Sequence, residues 1–229
     1  MDNKKKFAAI CIGVLILAAS VGTTLAYLGA KQNADNTIKV GTDIAEVSET
    51  FTEPSIQQQN NETTKEIKVK NKGSVPCFVR VYAEFSDSEI ASIAKVVYGD
   101  SDTEKAWEGT DGFKEYLANT TQSSSEDWQY IPESGTGIDP VLGGYFYYKK
   151  ALPVNDATTS LIKKVKVDYG TMPGNSNSNI DYIRDYEMIV YTETVQTVDT
   201  DGTDYAAQGV TDGWKKAWER FLKKTTPTP

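Results

Sequence analysis

The sequence contains no histidine. That absence removes Ser-His-Asp and Cys-His nucleophilic sites and the His-ligated zinc centres of typical metalloproteases. Cysteine is nearly absent too. Cys11 falls inside an N-terminal apolar run, and Cys77 is alone in the rest of the chain. No internal disulfide is then available, and stability has to come from core packing. Cys77 sits in Pro76-Cys77-Phe78-Val79-Arg80-Val81, where it reads as a small buried residue on a strand. No Gly-rich phosphate loop follows an apolar strand. Positive charge is also short: 24 Lys and Arg against 32 Asp and Glu give a formal charge of −8 over 229 residues. Phosphate binding runs on Lys and Arg, so nucleic acid is excluded as a partner.

What the chain does have begins with three zones that match an export signal. Lys4 to Lys6 precede an apolar run from Phe7 to Ala19, and small residues follow at Ser20, Gly22, Thr23, Thr24 and Ala26. Cleavage after Ala26 would use Thr24 and Ala26 as the small residues read by the peptidase and leave Tyr27 as the first mature residue. The alternative is an uncleaved anchor, but the strongly apolar stretch is shorter than the ~20 residues that a span needs. The expected organisation is a signal peptide at 1–26, a flexible mature N-terminus at 27–36, one domain at 37–224 and a disordered tail at 225–229. The protein is expected to be secreted and extracellular, with membrane contact only through the signal before cleavage.

Beyond the signal the pattern is mainly β. Thr37 to Val40 opens a strand, and Glu66-Ile67-Lys68-Val69-Lys70 alternates with period two before the turn residues Asn71-Lys72-Gly73. Val79, Val81, Ala83 and Phe85 share one face of the next strand, with Arg80, Tyr82 and Glu84 on the other. Tyr145 to Tyr148 is aromatic-rich. Val165 and Val167 alternate with Lys164 and Lys166, which suits a lysine-protected edge strand, as does Lys163. Met188 to Tyr191 is apolar on both faces and suits a central strand. The expected fold is an antiparallel two-sheet, jelly-roll-like sandwich, with Val79, Val81, Phe85, Ile189 and the Tyr145 to Tyr148 run packed between the sheets.

Two stretches depart from that pattern. From Ser88 to Thr121, Ile90, Ile93, Ala94 and Val97, then Trp107, Phe113, Tyr116 and Leu117, fall at helical spacings broken by glycines, predicting a short helical insertion at about 88–121. Near the C-terminus, Thr211 or Asp212 could cap a helix that presents Trp214, Ala217, Trp218 and Phe221 on one face. Thr120 to Glu126 and Gly174 to Asn179 are polar and read as exposed loops.

Candidate chemistry is sparse. Asp185/Glu187 and Glu187/Glu193 are carboxylate pairs that could do acid/base work, although both also fall at ordinary strand positions in an acidic chain. Asp199-Thr200-Asp201-Gly202-Thr203-Asp204 puts the carboxylates of Asp199, Asp201 and Asp204 around a glycine, a candidate calcium turn that lacks the closing Glu of an EF-hand. The competing reading is a solvated Asp/Gly turn leading into the terminal helix.

Several segments carry a family resemblance. Lys4-Lys5-Lys6, Gly22-Thr23-Thr24-Leu25-Ala26-Tyr27-Leu28 and Asn36-Thr37-Ile38-Lys39-Val40-Gly41 resemble the SipW-type signal and first strand of TasA/camelysin-like secreted proteins. Asn71 to Val81, Tyr147 to Pro153, Val190 to Gln196 and Ala217-Trp218 resemble the clostridial branch known as alternate signal-mediated exported proteins. The resemblance implies a jelly-roll-like sandwich, a SipW-type signal peptidase as export partner, and self-association into biofilm matrix fibres by strand donation. It also implies an alternative, a camelysin-like extracellular metalloprotease. The leading expectation is a non-catalytic structural or surface accessory protein of a Gram-positive bacterium, without a cofactor unless calcium binds. A monomeric module that binds cell-wall glycan or a host surface is the third reading.

Overall fold

In the computed structural model the residues described are 45–51, 60–100, 102–175, 186–208 and 213–225. All of them fall within one compact unit, Gly41–Pro229. The signal at 1–26 with Thr24, Ala26 and Tyr27, the segment at 27–36, the strand expected at Thr37 to Val40, Asp185, the candidate caps Thr211 and Asp212, and residues 226–229 lie outside the described residues.

Among the described residues, nine strands form two antiparallel sheets. The strands are β1 (Ala45–Phe51), β2 (Asn60–Asn71), β3 (Cys77–Phe85), β4 (Ala94–Tyr98), β5 (Thr103–Ala106), β6 (Trp128–Ile131), β7 (Tyr145–Tyr148), β8 (Ile162–Asp168) and β9 (Met188–Gln196). One sheet runs β1-β2-β8-β4-β5 and the other β6-β7-β3-β9. Three α-helices accompany them among the described residues: α1 (Ser88–Ile93), α2 (Phe113–Ala118) and the C-terminal α3 (Gly213–Thr225). The chain is thus mainly β, with a helix at its C-terminus.

The period-two pattern of β3 does what it predicts. Val79, Val81, Ala83 and Phe85 are buried in the main core together with Ile67, Val69, Val165 and Val167 from the opposite sheet. Cys77 is buried with them. A second apolar cluster lies on the other side of β3 and β7, where Trp214, Ala217 and Trp218 of α3 cover Phe78, Leu142 and Tyr147. The Tyr145 to Tyr148 run therefore does not pack wholly between the sheets. Phe146 and Tyr148 point into the main core, whereas Tyr147 lies in the second cluster with Tyr145 against it, because adjacent strand residues face opposite ways.

Three expectations are corrected. The segment from Ser88 to Thr121 holds the short helices expected of it, α1 and α2, but it is not purely helical: β4, with buried Val96, Val97 and Tyr98, is paired to both β8 and β5 within the five-stranded sheet. The helical spacing of Ile90, Ile93, Ala94 and Val97 spans a helix-to-strand junction. Asp87 caps α1 by accepting from the N–H groups of Glu89 and Ile90, and the β-branched and aromatic run after Ile93 then goes extended. Gly99, at φ +66°, turns the chain out of β4 in a conformation that favours glycine.

The second correction concerns β8, which lies between β2 and β4 and is not an edge. Its lysines are matched by acidic residues of β2, of β5 and of the turn before β5: Lys164 to Glu62 at 2.5 Å, Lys166 to Glu62 at 3.2 Å and to Glu104 at 2.6 Å, and Lys163 to Asp102 at 2.9 Å. Alternating lysines mark the wet face of a central strand here, neutralised by cross-strand carboxylates. The third correction is β9, which is an edge strand paired only with β3 among the described residues. Ile189 is 49% exposed and does not belong to the core.

The turn after β2 shows how a polar side chain positions this framework. Asn71 is fully buried, and its amide donates to Val75 O at 2.9 Å and Leu152 O at 3.0 Å. Its Oδ1 accepts from Gly73 N at 2.8 Å. One side chain thereby ties the β2–β3 turn to the strand-like segment at Leu152, which itself bridges Cys77.

Candidate functional site

The open side of β9 is the feature of the fold that most needs an explanation. Nine consecutive pairs join β9 to β3 without a register shift, from Cys77↔Gln196 to Phe85↔Met188. Ser86 N–H donates to Glu187 O at 2.8 Å, and Thr197 N–H donates to Pro76 O at 3.2 Å. Hydrogen-bonded pairs alternate along an antiparallel ladder, so the odd-numbered residues of β9 aim their backbone groups at β3. The N–H and C=O groups of Val190, Thr192 and Thr194 therefore face away from the sheet.

The side chains follow the complementary alternation. Met188 and Val190 pack against the main core, while Ile189, Tyr191 and Glu193 face outward. Tyr191 is 43% exposed and stacks on Tyr82, directly opposite on β3, with ring centroids 4.7 Å apart and an interplanar angle of 18°. Tyr145 completes the group: its ring stands edge-on to Tyr191, and the two hydroxyls lie 3.2 Å apart. Burial pushes the Tyr145 phenol above its ordinary range, so the hydroxyl stays protonated at any physiological pH.

Behind these rings sits a cation that sequence reading placed only as a polar strand residue. Arg80 is 4% exposed, with its guanidinium 3.9 Å from the Tyr145 ring centroid and 4.5 Å from that of Trp218. It donates to Glu193 Oε2 at 2.5 Å and to the Tyr147 hydroxyl at 3.3 Å. Burial holds the Tyr147 phenol up at about 12. The available signal was the single arginine inside Cys77-Phe78-Val79-Arg80-Val81, a charge where neighbours are apolar. A related pairing occurs farther along β3, where Glu84 receives Lys114 of α2 and the Trp107 indole N–H at 2.9 Å.

The residues singled out from sequence lie apart from this face or are differently engaged. Asp199 Oδ2 and Asp201 Oδ2 both meet Arg220 of α3, at 3.1 and 3.6 Å. Asp204 Oδ1 accepts from the N–H groups of Ala206 and Ala207 at 2.9 and 3.3 Å, starting a short 3-10 turn. Asp201 is held below the usual carboxylate range by its hydrogen bonds from Thr203. Arg220 thus supplies positive charge beside Asp199 and Asp201, while Asp204 turns to the backbone. No group of three potential metal ligands occurs among the described residues. Glu187 and Glu193 are six residues apart along an extended chain, roughly 20 Å, which is too far for a shared acid/base site.

One cleft of about 290 Å³ opens between the end of β4, α2 and the start of β8. Its charged walls are largely neutralised internally, by Asp127 to Lys150 at 2.6 Å and Lys163 to Asp102 at 2.9 Å. Glu126 accepts from the Tyr116 hydroxyl at 3.1 Å. No helix among the described residues is long and apolar enough to cross a membrane.

Neither a family model nor a curated protein matches this chain.

Proposed function

We propose that this protein is exported through its N-terminal signal and serves outside the cell as a non-catalytic structural subunit that self-associates by strand pairing. In this reading a SipW-type peptidase cleaves after Ala26, and the jelly-roll-like sandwich contributes to a matrix fibre or surface layer. The observation that carries the proposal is the edge of β9, which among the described residues pairs with β3 alone. Edge strands are ordinarily kept short, charged, bulged or interrupted by proline. The residues of β9, Met-Ile-Val-Tyr-Thr-Glu-Thr-Val-Gln, contain one charge and no proline, lysine or glycine. That one charge is occupied by Arg80.

Backbone pairing at such an edge is largely independent of side-chain identity, so an extended segment such as 27–36 from another copy could add to it. The net charge of −8 opposes assembly at low salt. Screening relieves that opposition as the Debye length falls from ~30 Å at 0.01 M to ~8 Å at 0.15 M. The test compares chains beginning at Tyr27 and at Thr37 by light scattering and electron microscopy across ionic strength. Assembly that rises with salt supports the reading, and dependence on 27–36 identifies that segment as donor. Persistent monomers at every salt concentration would refute it.

A second reading is favoured by the exposed Tyr191 and its Tyr82 and Tyr145 neighbours: an aromatic face that contacts cell-wall glycan as a monomer. Retention of monomer on wall material, lost on Tyr191→Ala, would select it. The metalloprotease alternative has no set of metal ligands among the described residues to build on.

A further inference from the structure

We infer that β9 pairs antiparallel with β9 of a second copy, about a two-fold axis at Thr192, joining the two four-stranded sheets into one. The inference rests on the proposed role of β9 as a strand-accepting edge. It goes further in assigning that edge to a like strand in a fixed register.

Three observations select the partner. First, the edge offers backbone groups at Val190, Thr192 and Thr194, and a two-fold partner offers the same set, so donors meet acceptors without any bulge. Second, a two-fold axis perpendicular to the sheet keeps each face of the sheet continuous. Inward Val190 meets Thr194 of the partner subunit, and outward Ile189 meets the partner's Val195. Third, the only charge on the strand decides between neighbouring registers. Centring the axis on Glu193 would set two carboxylates directly opposite each other, an unfavourable cross-strand pair. Centring it on Tyr191 would set Ile189 against the carboxylate of Glu193 and shorten the overlap. With the axis at Thr192, Glu193 faces the partner's Tyr191, and the longest ladder forms.

The remaining edges do not offer the same surface. The other edge of this sheet, β6, has four residues, and β5 also has four, among them Glu104 and Lys105. At the other end of the five-stranded sheet, β1 carries Glu46 and Glu49 in seven residues. A nine-residue, bulge-free, nearly uncharged edge in a protein of net charge −8 is therefore the place where copies can approach without concentrating like charge.

The pairing predicts a cross-link that depends on mixing. Ile189 and the partner's Val195 form a non-hydrogen-bonded pair, with Cα atoms expected ~4.5 Å apart, inside the range a disulfide accepts. In full-length chain carrying Cys11→Ser, two variants are made separately, Ile189→Cys and Val195→Cys; Cys77 is buried. Under dioxygen two thiols lose two electrons and two protons to form the disulfide, with oxygen reduced. At 0.15 M salt the expected result is a disulfide-linked dimer in the mixture and none from either variant alone, read by non-reducing electrophoresis. Circular dichroism confirms that both variants fold. Linked dimer from a single variant, or equal linking in all three samples, overturns the register and with it the proposal. If the mixture gives no link while the unmodified chain still assembles by light scattering, the like-with-like pairing falls and the edge takes another strand. If nothing links and nothing assembles, the proposed function falls too.

Discussion

Arg80 and Glu193 stand directly opposite each other on β3 and β9 and form an ion pair whose cationic half is enclosed between Tyr145 and Trp218. The contact joins four elements, because Trp218 belongs to α3 and Tyr145 to β7 while the ion pair spans β3 and β9. Removing one partner of a buried pair is costly since it strands the other charge, although Glu193 is 43% exposed and can rehydrate. Arg80→Met should therefore destabilise by about 2 kcal/mol in urea titration, and Glu193→Gln by about 1–2 kcal/mol because the buried guanidinium loses its counter-charge. A coupling energy near zero in the double variant would contradict the pairing.

Asn71→Ala removes two donors from buried carbonyls and one acceptor from Gly73. Unsatisfied buried groups cost ~1–3 kcal/mol each, partly recovered where the turn can rehydrate. A loss of about 3 kcal/mol is expected by thermal or urea unfolding, with Asn71→Asp nearly as damaging because a carboxylate cannot donate. A near-neutral Asn71→Ala would show that the turn is held by other contacts.

Val81 and Ile189 test the assignment of faces. Val81 is fully buried and Ile189 is half exposed. Val81→Asp should lower stability by several kcal/mol through an unpaired buried charge, whereas Ile189→Asp should stay within about 0.5 kcal/mol of the parent. Equal melting temperatures for the two variants would mean that β9 lies the other way round.

Acid sensitivity should reside partly in the wet face of β8. Hydrogen bonds from Lys164 and Lys166 hold Glu62 below its ordinary carboxylate value, and Lys166 followed by Lys95 does the same for Glu104. A depressed folded pKa contributes stability that is present above the unfolded value near 4.5 and is lost as pH falls through the lower folded value. Both carboxylates are more than a third exposed, so each contributes only a few tenths of a kcal/mol. Melting curves between pH 6 and 3 should show a smaller acid-induced loss in Lys166→Met than in the parent. Identical losses would contradict the role of the ladder.

Much of the sheet framework was legible in the sequence because period-two alternation survives wherever one face is core and one is wet, as in β2 and β3. Strand position within a sheet was not. Lysines on β8 read as edge protection because their partners, Glu62 and Glu104, come from strands far away in sequence, and apolar residues on β9 read as central although that strand is an edge. Helical spacing across Ser88 to Val97 was an accident of a short helix running straight into a strand. The tyrosine face was invisible for a related reason: Tyr82, Tyr145 and Tyr191 meet only through the order of β7, β3 and β9.

The central claim is that the open backbone of β9 drives self-association. Thr194 tests it most directly, because its N–H faces away from β3 and a proline there removes an edge donor without breaking the β3 ladder. Sedimentation velocity of the parent and Thr194→Pro across protein concentration and from 0.01 to 0.5 M salt is the measurement. The parent should form salt-promoted dimers or larger species, while Thr194→Pro should stay monomeric with an unchanged circular dichroism spectrum. A folded Thr194→Pro protein that associates as strongly as the parent would contradict the account.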